Sequence, residues 1–537
     1  MPPNDCDKYD DILPFIGEFG AFQKRMLLCM MPAAFFFAFT YFGEIFMILE
    51  PRDHWCRIRE LEDLPKKEQI SRGIPEKEDG GFEKCFMYKG PYDSNKTNMI
   101  RTKIPCNNGW IYDRNEMPYE SIAIEYDWVC DDKVFGTYSV VSFFVGSIVG
   151  CLCFGYVADH YGRLVALFLA NSCAMTGGCI SAMCKDIYCF AASRFVVGLA
   201  MNNCFVPIYI LTLENVGSKY RTLVGNLALT IAFTLGACTL PWVAYGFKYW
   251  RYYAMTVALP MVFMILISLL LPESPNWLIS VGKVDRGIEV LKEAAKTNGK
   301  TVSDKEWSEM KECFELNFAA EQSRKQYTCL DLFKTFRMLV VMTILIFNCM
   351  IVALVYDAHV RVAALLDTDV FITFSLCSLF EIPAGILPMI TIDRFGRKPI
   401  MSAVMLFCAA SSLSVGLLKR KWDKVILAII ARFFVTMGYN IGQQWAAEIL
   451  PTILRGQGLA LINVLGSCGA LLSPIVLFTR HYYHSLPMFI VALLSVIDGV
   501  IVIFLPESKG TVMPHTLEEA EKRWTLRCRD RRINTDQ

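Results

Sequence analysis

Along this chain, stretches of about twenty residues with little or no charge alternate with polar connections, and the alternation repeats twelve times. The apolar runs lie near 26–49, 134–158, 164–184, 187–211, 222–245, 252–271, 338–358, 370–392, 399–418, 424–447, 457–478 and 486–505. A bilayer core about 30 Å thick is crossed by about 20 helical residues, so the pattern predicts an all-α membrane protein with twelve spans. A charged polar segment of 25 residues precedes the first run and no small-residue cleavage site follows it. That run is therefore expected to remain as the first helix rather than to be removed as a signal peptide.

Two polar segments are too long to be simple turns. The first, 50–133, carries Cys56, Cys85, Cys106 and Cys130 and one glycosylation acceptor, Asn95-Lys96-Thr97. Four cysteines and a sequon in one loop fit an oxidising, extracellular face, with three disulfide pairings open. The second, about 273–337, has balanced charge and helix-favouring stretches such as VDRGIEVLKEAAK. An even number of spans separates it from the N-terminus, which predicts that this linker (272–337), the N-terminus (1–25) and the tail (506–537) share the cytoplasmic side. The basic motif DRFGRK at 393–398 agrees with that orientation, and KRKWDK at 419–424 opposes it. The cysteines and the sequon decide for the loop outside.

Composition narrows the class further. Of 537 residues, 54% are hydrophobic and 20% charged, and the mean hydropathy is +0.37, which belongs to a membrane protein. A net charge of +1 and the lack of a basic block with interleaved aromatics give no reason to expect a nucleic acid partner. No metal-ligand cluster, nucleophile elbow or phosphate loop stands in a suitable context, so neither an enzyme nor a cofactor is expected.

The two halves of the chain repeat each other. DHYGR at 159–163 recurs as DRFGR at 393–397, Glu214 with Arg221 recurs as Glu448 with Arg455, and LPES at 271–274 recurs at 505–508, each at an offset of 234. Arg194 in SRFVVG recurs as Arg432 in ARFFVTMG at an offset of 238. The halves are thus predicted to be 26–271 and 338–505, six helices each, around a site near the membrane midplane. Asp159, Arg163, Glu214 and Arg221, with their counterparts Asp393, Arg397, Glu448 and Arg455, fall at tight turns on the linker side. Their duplication favours a charge-relay gate that locks that side over mere anchoring of helix ends.

These residues resemble a known family, the organic cation, anion and zwitterion transporters (solute carrier family 22) of the major facilitator superfamily. The resemblance rests on SIAIEYDWVC (121–130), PESPNWL (272–278), IDRFGRKP (392–399), AEILPTILRGQG (447–458) and the cysteine-bearing loop, and it covers nearly the whole chain. It implies a multi-pass plasma-membrane carrier of small organic ions that works by alternating access, with both termini inside and the coupling ion left open.

Charge preference is read from polar residues within the spans. Glu381 is the only charged residue between Val370 and Ile392, and an isolated carboxylate at that depth is costly unless paired or used. It matches the position where the family's cation carriers keep a glutamate, and Arg194 and Arg432 are placed toward helix ends, so a substrate contact is favoured over pairing. Ser467, seven before Pro474, departs from the family. Its cation carriers usually have aspartate there, and its anion and carnitine carriers arginine. Tyr356 matches a pocket-wall aromatic, Asn440 a family amide, and Phe205 a pocket aromatic; Gln443 and Glu44 complete the candidate set. Asp357 and Arg361 are expected to pair at i,i+4, His359 to do nothing in particular, and Asp498 to serve packing or a lipid-side contact. Aromatics among carboxylates suit an organic ammonium. The expected substrate is therefore a small organic cation or an amine-bearing zwitterion of carnitine, β-alanine or carcinine type. An organic-anion exchanger is disfavoured for want of a midplane arginine, and a non-transporting ligand sensor on the same fold is the other alternative.

Overall fold

A computed structural model describes the chain except residues 1–8, 10–11, 52, 78–80, 91, 93–101, 114–118, 324–328, 367, 511–513, 515–516 and 522–537. The sequon at Asn95 lies outside the described residues. Twelve helical spans follow the predicted order. The first half holds α1 (Ala21–Met47), α2 (Val134–His160), α3 (Arg163–Met183), α4 (Ile187–Ala200, resuming at Val206–Glu214), α5 (Lys219–Phe247) and α6 (Trp250–Leu270). The second holds α7 (Phe336–Leu365), α8 (Val370–Phe395), α9 (Arg397–Leu417), α10 (Lys421–Ile449), α11 (Arg455–Phe478) and α12 (Leu486–Phe504). Among the described residues, eleven of these are long and apolar enough to cross a membrane. The exception, α4, breaks before Pro207, which has no N–H to offer the Asn203 carbonyl.

The sequence repeat is a repeat of packing. In the first half α1 lies on α5, α2 on α4 and α3 on α6; in the second α7 lies on α11, α8 on α10 and α9 on α12. Small residues set the closest approaches: a Cβ on Gly150 of α2 would stand 2.0 Å from the Leu199 carbonyl of α4, and one on Gly469 of α11 2.0 Å from the Met350 carbonyl of α7. Between the halves, α2 packs on α11 and α5 on α8. On the side bearing the long loop, a shared apolar core seals the junction. Phe42 and Phe46 of α1 meet Phe371 and Phe374 of α8, with ring centroids 5.3 to 6.1 Å apart. Val140, Phe143 and Phe144 of α2 likewise meet Ala470 and Leu471 of α11.

The loop folds on two short ribbons, β1 (His54–Cys56) with β4 (Trp110–Tyr112) and β2 (Phe86–Tyr88) with β3 (Lys103–Pro105). Disulfides join Cys56 to Cys106 and Cys85 to Cys130, one of the three pairings the sequence leaves open. A third bond, Cys184–Cys189, ties the turn between α3 and α4 and was not foreseen. The loop is moored to the membrane domain by Glu125, which accepts from Trp250 Nε1 at 2.6 Å, Arg251 Nη2 at 2.7 Å and Tyr249 Oη at 3.0 Å. That is the structural work of the glutamate in SIAIEYDWVC. Burial alone would raise the Glu125 carboxyl, but the hydrogen bonds from Arg251, Trp250 and Tyr249 outweigh it and hold it below the usual range. On the opposite side, linker helices Val284–Thr297 and Asp304–Ser323 form a small core with Ile12, Leu13 and Ile16.

Candidate functional site

The segment SLFEIPAGILP bends α8. Pro383 cannot donate to the Leu379 carbonyl, and the helix divides at Phe380, so Glu381 opens the second segment, Glu381–Phe395. A carboxylate at a helix N-terminus is favourably placed against the helix dipole. Glu381 is 3% exposed, and a charge so buried needs partners. Its Oε1 accepts three hydrogen bonds: from Arg432 Nη2 at 2.6 Å, Arg432 Nε at 2.8 Å and Tyr356 Oη at 3.0 Å. Its Oε2 accepts none of these.

This corrects two expectations. Arg432 does not sit at a helix end out of reach of Glu381: it is fully buried, and its counterion is Glu381. Counted from the loop side, Glu381 is the twelfth residue of α8 and Arg432 the twelfth of α10, so the two reach the same depth on neighbouring helices. Nor is the middle of the protein without an arginine, as the argument against an anion carrier supposed. That arginine is neutralised by Glu381 and enclosed by the rings of Phe42, Phe374 and Tyr356, whose centroids lie 5.5 to 5.7 Å from its guanidinium carbon. One Arg432 nitrogen, Nη1, has no hydrogen-bond partner.

Tyr356 links this pair to the junction of the halves. Its ring lies 6.5 Å from Tyr41 of α1 and 6.2 Å from Tyr439 of α10. Tyr439 is 41% exposed although it lies well inside a membrane span. Its ring lies beside that of Tyr356, which in turn meets Tyr41 of the first half. Close by in sequence, Gln443 Nε2 donates to Asn463 Oδ1 of α11 at 2.9 Å, and Ser467 Oγ donates to the Asn463 carbonyl at 3.0 Å. Gln443, Ser467 and Asn463 thus form one polar cluster between α10 and α11. Asn463 was missed, and its position one turn before Ser467 was the available signal. Asn440 donates to the Thr436 carbonyl on its own helix at 3.1 Å. Phe205 stacks on Phe37 of α1 at 5.5 Å, within the first half.

The other intramembrane charges divide by location. Asp357 and Arg361 pair at 2.7 Å, and Ser473 of α11 donates to the same carboxylate oxygen at 2.6 Å. Asp498 is fully buried, with both its oxygens 3.0 Å from Asn348 Nδ2 of α7, a packing role away from lipid. His359 is buried against Ser412 of α9 at 2.9 Å. Glu44 is 2% exposed, and neither of its oxygens has a hydrogen-bond partner.

On the linker side Asp159, Arg163 and Glu214 bond to the first half and the linker that follows it, and Asp393, Arg397 and Glu448 to the second half and the tail. Asp159 pairs with Arg163 at 2.9 Å, and Asp393 with Arg397 at 3.0 Å. Gly162 and Gly396 take φ of 111° and 95°, a backbone that glycine adopts without strain. At each turn a glutamate from the LPES repeat, 110 residues further along the chain, caps the next helix: Glu273 accepts from the Arg163 and Leu164 amides, and Glu507 from the Arg397 and Lys398 amides. Glu448 takes Arg397 at 2.9 Å and the Ser508 hydroxyl at 2.6 Å. Glu214 instead takes Ser274 and Asn276, while Arg221 donates to the Leu213 and Val216 carbonyls at 3.1 Å. Arg455 opens α11 at the turn that follows Glu448.

Comparison with known proteins accords with this architecture. The model of the family described as "Sugar (and other) transporter" matches residues 92–360 and 351–531. The chain is 29% identical to human solute carrier family 22 member 2, covering 95% of both chains. It is 28% identical to the carcinine transporter of Drosophila melanogaster, covering 97% of this chain and 81% of that one. Among solved structures, the inward-open conformation of the xylose transporter XylE from E. coli matches with a TM-score of 0.61 at 15% identity, covering 94% of this chain and all of XylE. That likeness carries the fold alone.

Proposed function

The chain belongs to the Sugar (and other) transporter family and is a multi-pass membrane transporter, and we propose that it carries small organic cations or amine-bearing zwitterions across the plasma membrane by alternating access. In this reading the disulfide-bearing loop faces the outside, where disulfides persist, Asn95 is glycosylated, and the termini and linker lie inside. The names of the relatives agree in kind, one of them being a carcinine transporter. The observation that carries the charge preference is Glu381: a carboxylate deep in the membrane, one oxygen held by Arg432 and Tyr356, the other outside those bonds. Tyr41, Tyr356 and Tyr439 add ring faces beside it, and an ammonium is attracted by both charge and aromatic faces. Gln443, Asn440 and neutral Ser467 suit the polar end of a zwitterion without demanding an anion.

Uptake of a panel of labelled amines, zwitterions and anions into proteoliposomes, with and without sodium and at two membrane potentials, tests this. Wild-type protein is expected to accumulate cations in a potential-dependent manner, and Glu381→Gln to lose at least tenfold in that uptake. Cation uptake unchanged in Glu381→Gln, or transport of anions only, would overturn the reading.

A further inference from the structure

Arg361 uses only part of its hydrogen-bonding capacity within the protein. It stands near the loop-side end of α7, about 7.5 Å along the helix beyond Tyr356, and its side chain is 11% exposed. Its Nε donates to Asp357 at 2.7 Å, and Ser473 of α11 donates to the same carboxylate oxygen at 2.6 Å. The ring of Phe144 lies 5.7 Å from the guanidinium carbon. One nitrogen and one face are therefore fixed. Neither Nη group donates to a protein acceptor, and neither is sealed from solvent. Arg432 differs in both respects: two of its nitrogens hold Glu381, and three rings enclose it.

The free edge of the guanidinium opens on a cleft. This space, about 120 Å³, lies on the loop side between α1 and α2 of the first half and α7 and α11 of the second, and Trp128, Thr137, Arg361 and Phe478 are among its walls. A cavity of ~150 Å³ takes up a molecule the size of benzene, so a ligand of a few heavy atoms fits. Lys133 and Arg480 add positive charge to the lining, against Glu50, which pairs with Lys133 at 2.7 Å. One turn further into the membrane Phe143 and Phe144 meet Ala470 and Leu471, and neither Tyr356, Glu381 nor Arg432 lines the cleft. The cleft is thus separate from the Glu381 pair. A guanidinium offers paired N–H groups that match the two oxygens of a carboxylate, and such bonds are strong because both partners are charged. We propose that the cleft is a binding site for a small carboxylate, seated on Nη1 and Nη2 of Arg361 with its carbon chain against Trp128 and Phe478. The bond from Nε to Asp357 leaves that edge of the guanidinium for the ligand. The carboxylate belongs either to a free monocarboxylate or to the acid end of a zwitterion. In the second case Glu50 and the ring of Trp128, in the same lining, suit the ammonium end.

Protection of a thiol in the cleft tests this without any transport. Thr137→Cys places the thiol on α2, in the same lining as Arg361. The full chain in lipid nanodiscs is treated with a small uncharged maleimide, and the labelling rate is read by mass spectrometry of the peptide that carries residue 137. Propionate and β-alanine are each expected to slow that rate at least about threefold at saturation, because a seated ligand keeps reagent from the wall. Propylamine, which has no carboxylate, is expected to leave it unchanged. A lower half-protecting concentration for β-alanine identifies the source as a zwitterion; an equal or higher one identifies it as a free monocarboxylate. Adding Arg361→Gln is expected to raise the half-protecting concentration at least about tenfold, the worth of a charge-assisted hydrogen bond. Adding Asp357→Asn together with Arg361→Gln strands no buried charge, and the same rise is expected there. Labelling that neither carboxylate slows, equal slowing by propylamine, or protection that survives loss of the Arg361 guanidinium would overturn the proposal. A failed uptake assay would bear on the substrate carried past Glu381, and failed protection on Arg361.

Discussion

Glu381 and Arg432 show how a residue can be conspicuous in a sequence while its partner is not. A carboxylate alone in 23 otherwise uncharged residues announces that it is paired or used. Arg432 lies closer to the charged start of its span, at Lys421 and Asp423, and draws less notice. Removing one member of a buried ion pair strands the other, at a cost of about 3–5 kcal/mol. Arg432→Leu should therefore lower the thermal unfolding temperature in detergent markedly, and Glu381→Gln combined with Arg432→Leu should recover most of the loss. A double variant no more stable than Arg432→Leu would mean that the pair contributes little to the fold. The polar cluster of Gln443, Asn463 and Ser467 shows a converse limit: neutral polar residues at membrane depth look alike in a sequence, and only the crossing of α10 and α11 brings Gln443 to the other two.

Among the elements, the loop is the one whose stability should follow pH most closely. Burial, reinforced by the nearby Lys84 charge, lowers His54 in β1 from about 6.5 to about 4. The folded loop therefore binds fewer protons at His54 than the unfolded chain does between those values, and its stability falls as pH drops from about 6.5 toward about 4. Glu125 adds to this below the ordinary carboxylate value, because its folded form holds a proton less readily than its unfolded form. Hydrogen exchange of residues 54–56 and 119–130 should accelerate as pH falls through this range, after correction for intrinsic rates, and His54→Phe should remove the upper part of the change. Exchange that stays flat from pH 7 to pH 4 would show that neither group titrates with loop opening. The pairing of Cys56 with Cys106 and of Cys85 with Cys130 came from the two ribbons, whose register cysteine spacing does not specify.

For the molecule as a whole, transport requires the halves to move against each other, so close inter-half contacts set limits on that motion. Gly385 of α8 is such a point: a Cβ there would stand 2.7 Å from Thr230 Cγ2 of α5. Gly385→Val should wedge the two helices apart and lower the maximal transport rate several-fold. Each half should still fold, since their cores are largely separate. Normal expression with an unchanged rate would show that α5 and α8 separate freely at this point. The linker-side charges belong to a different class of contact. Arg397, Glu448 and Ser508 join the second half to the tail, as Glu214, Ser274 and Asn276 join the first half to the linker. With the loop side sealed, these residues brace each half against the segment that follows it.

Much of this protein follows from the linear order of its residues. Twelve spans, two repeated halves and the isolation of Glu381 within its span all depend on periodicity, length and charge, which are properties of the chain itself. The tertiary structure decided what depends on which helices cross and at what depth. It paired Glu381 with Arg432, set Glu448 on Arg397 and joined the loop cysteines. Each of these is a contact between residues far apart in sequence, and the spacing along one helix carries no information about the face that another helix presents to it.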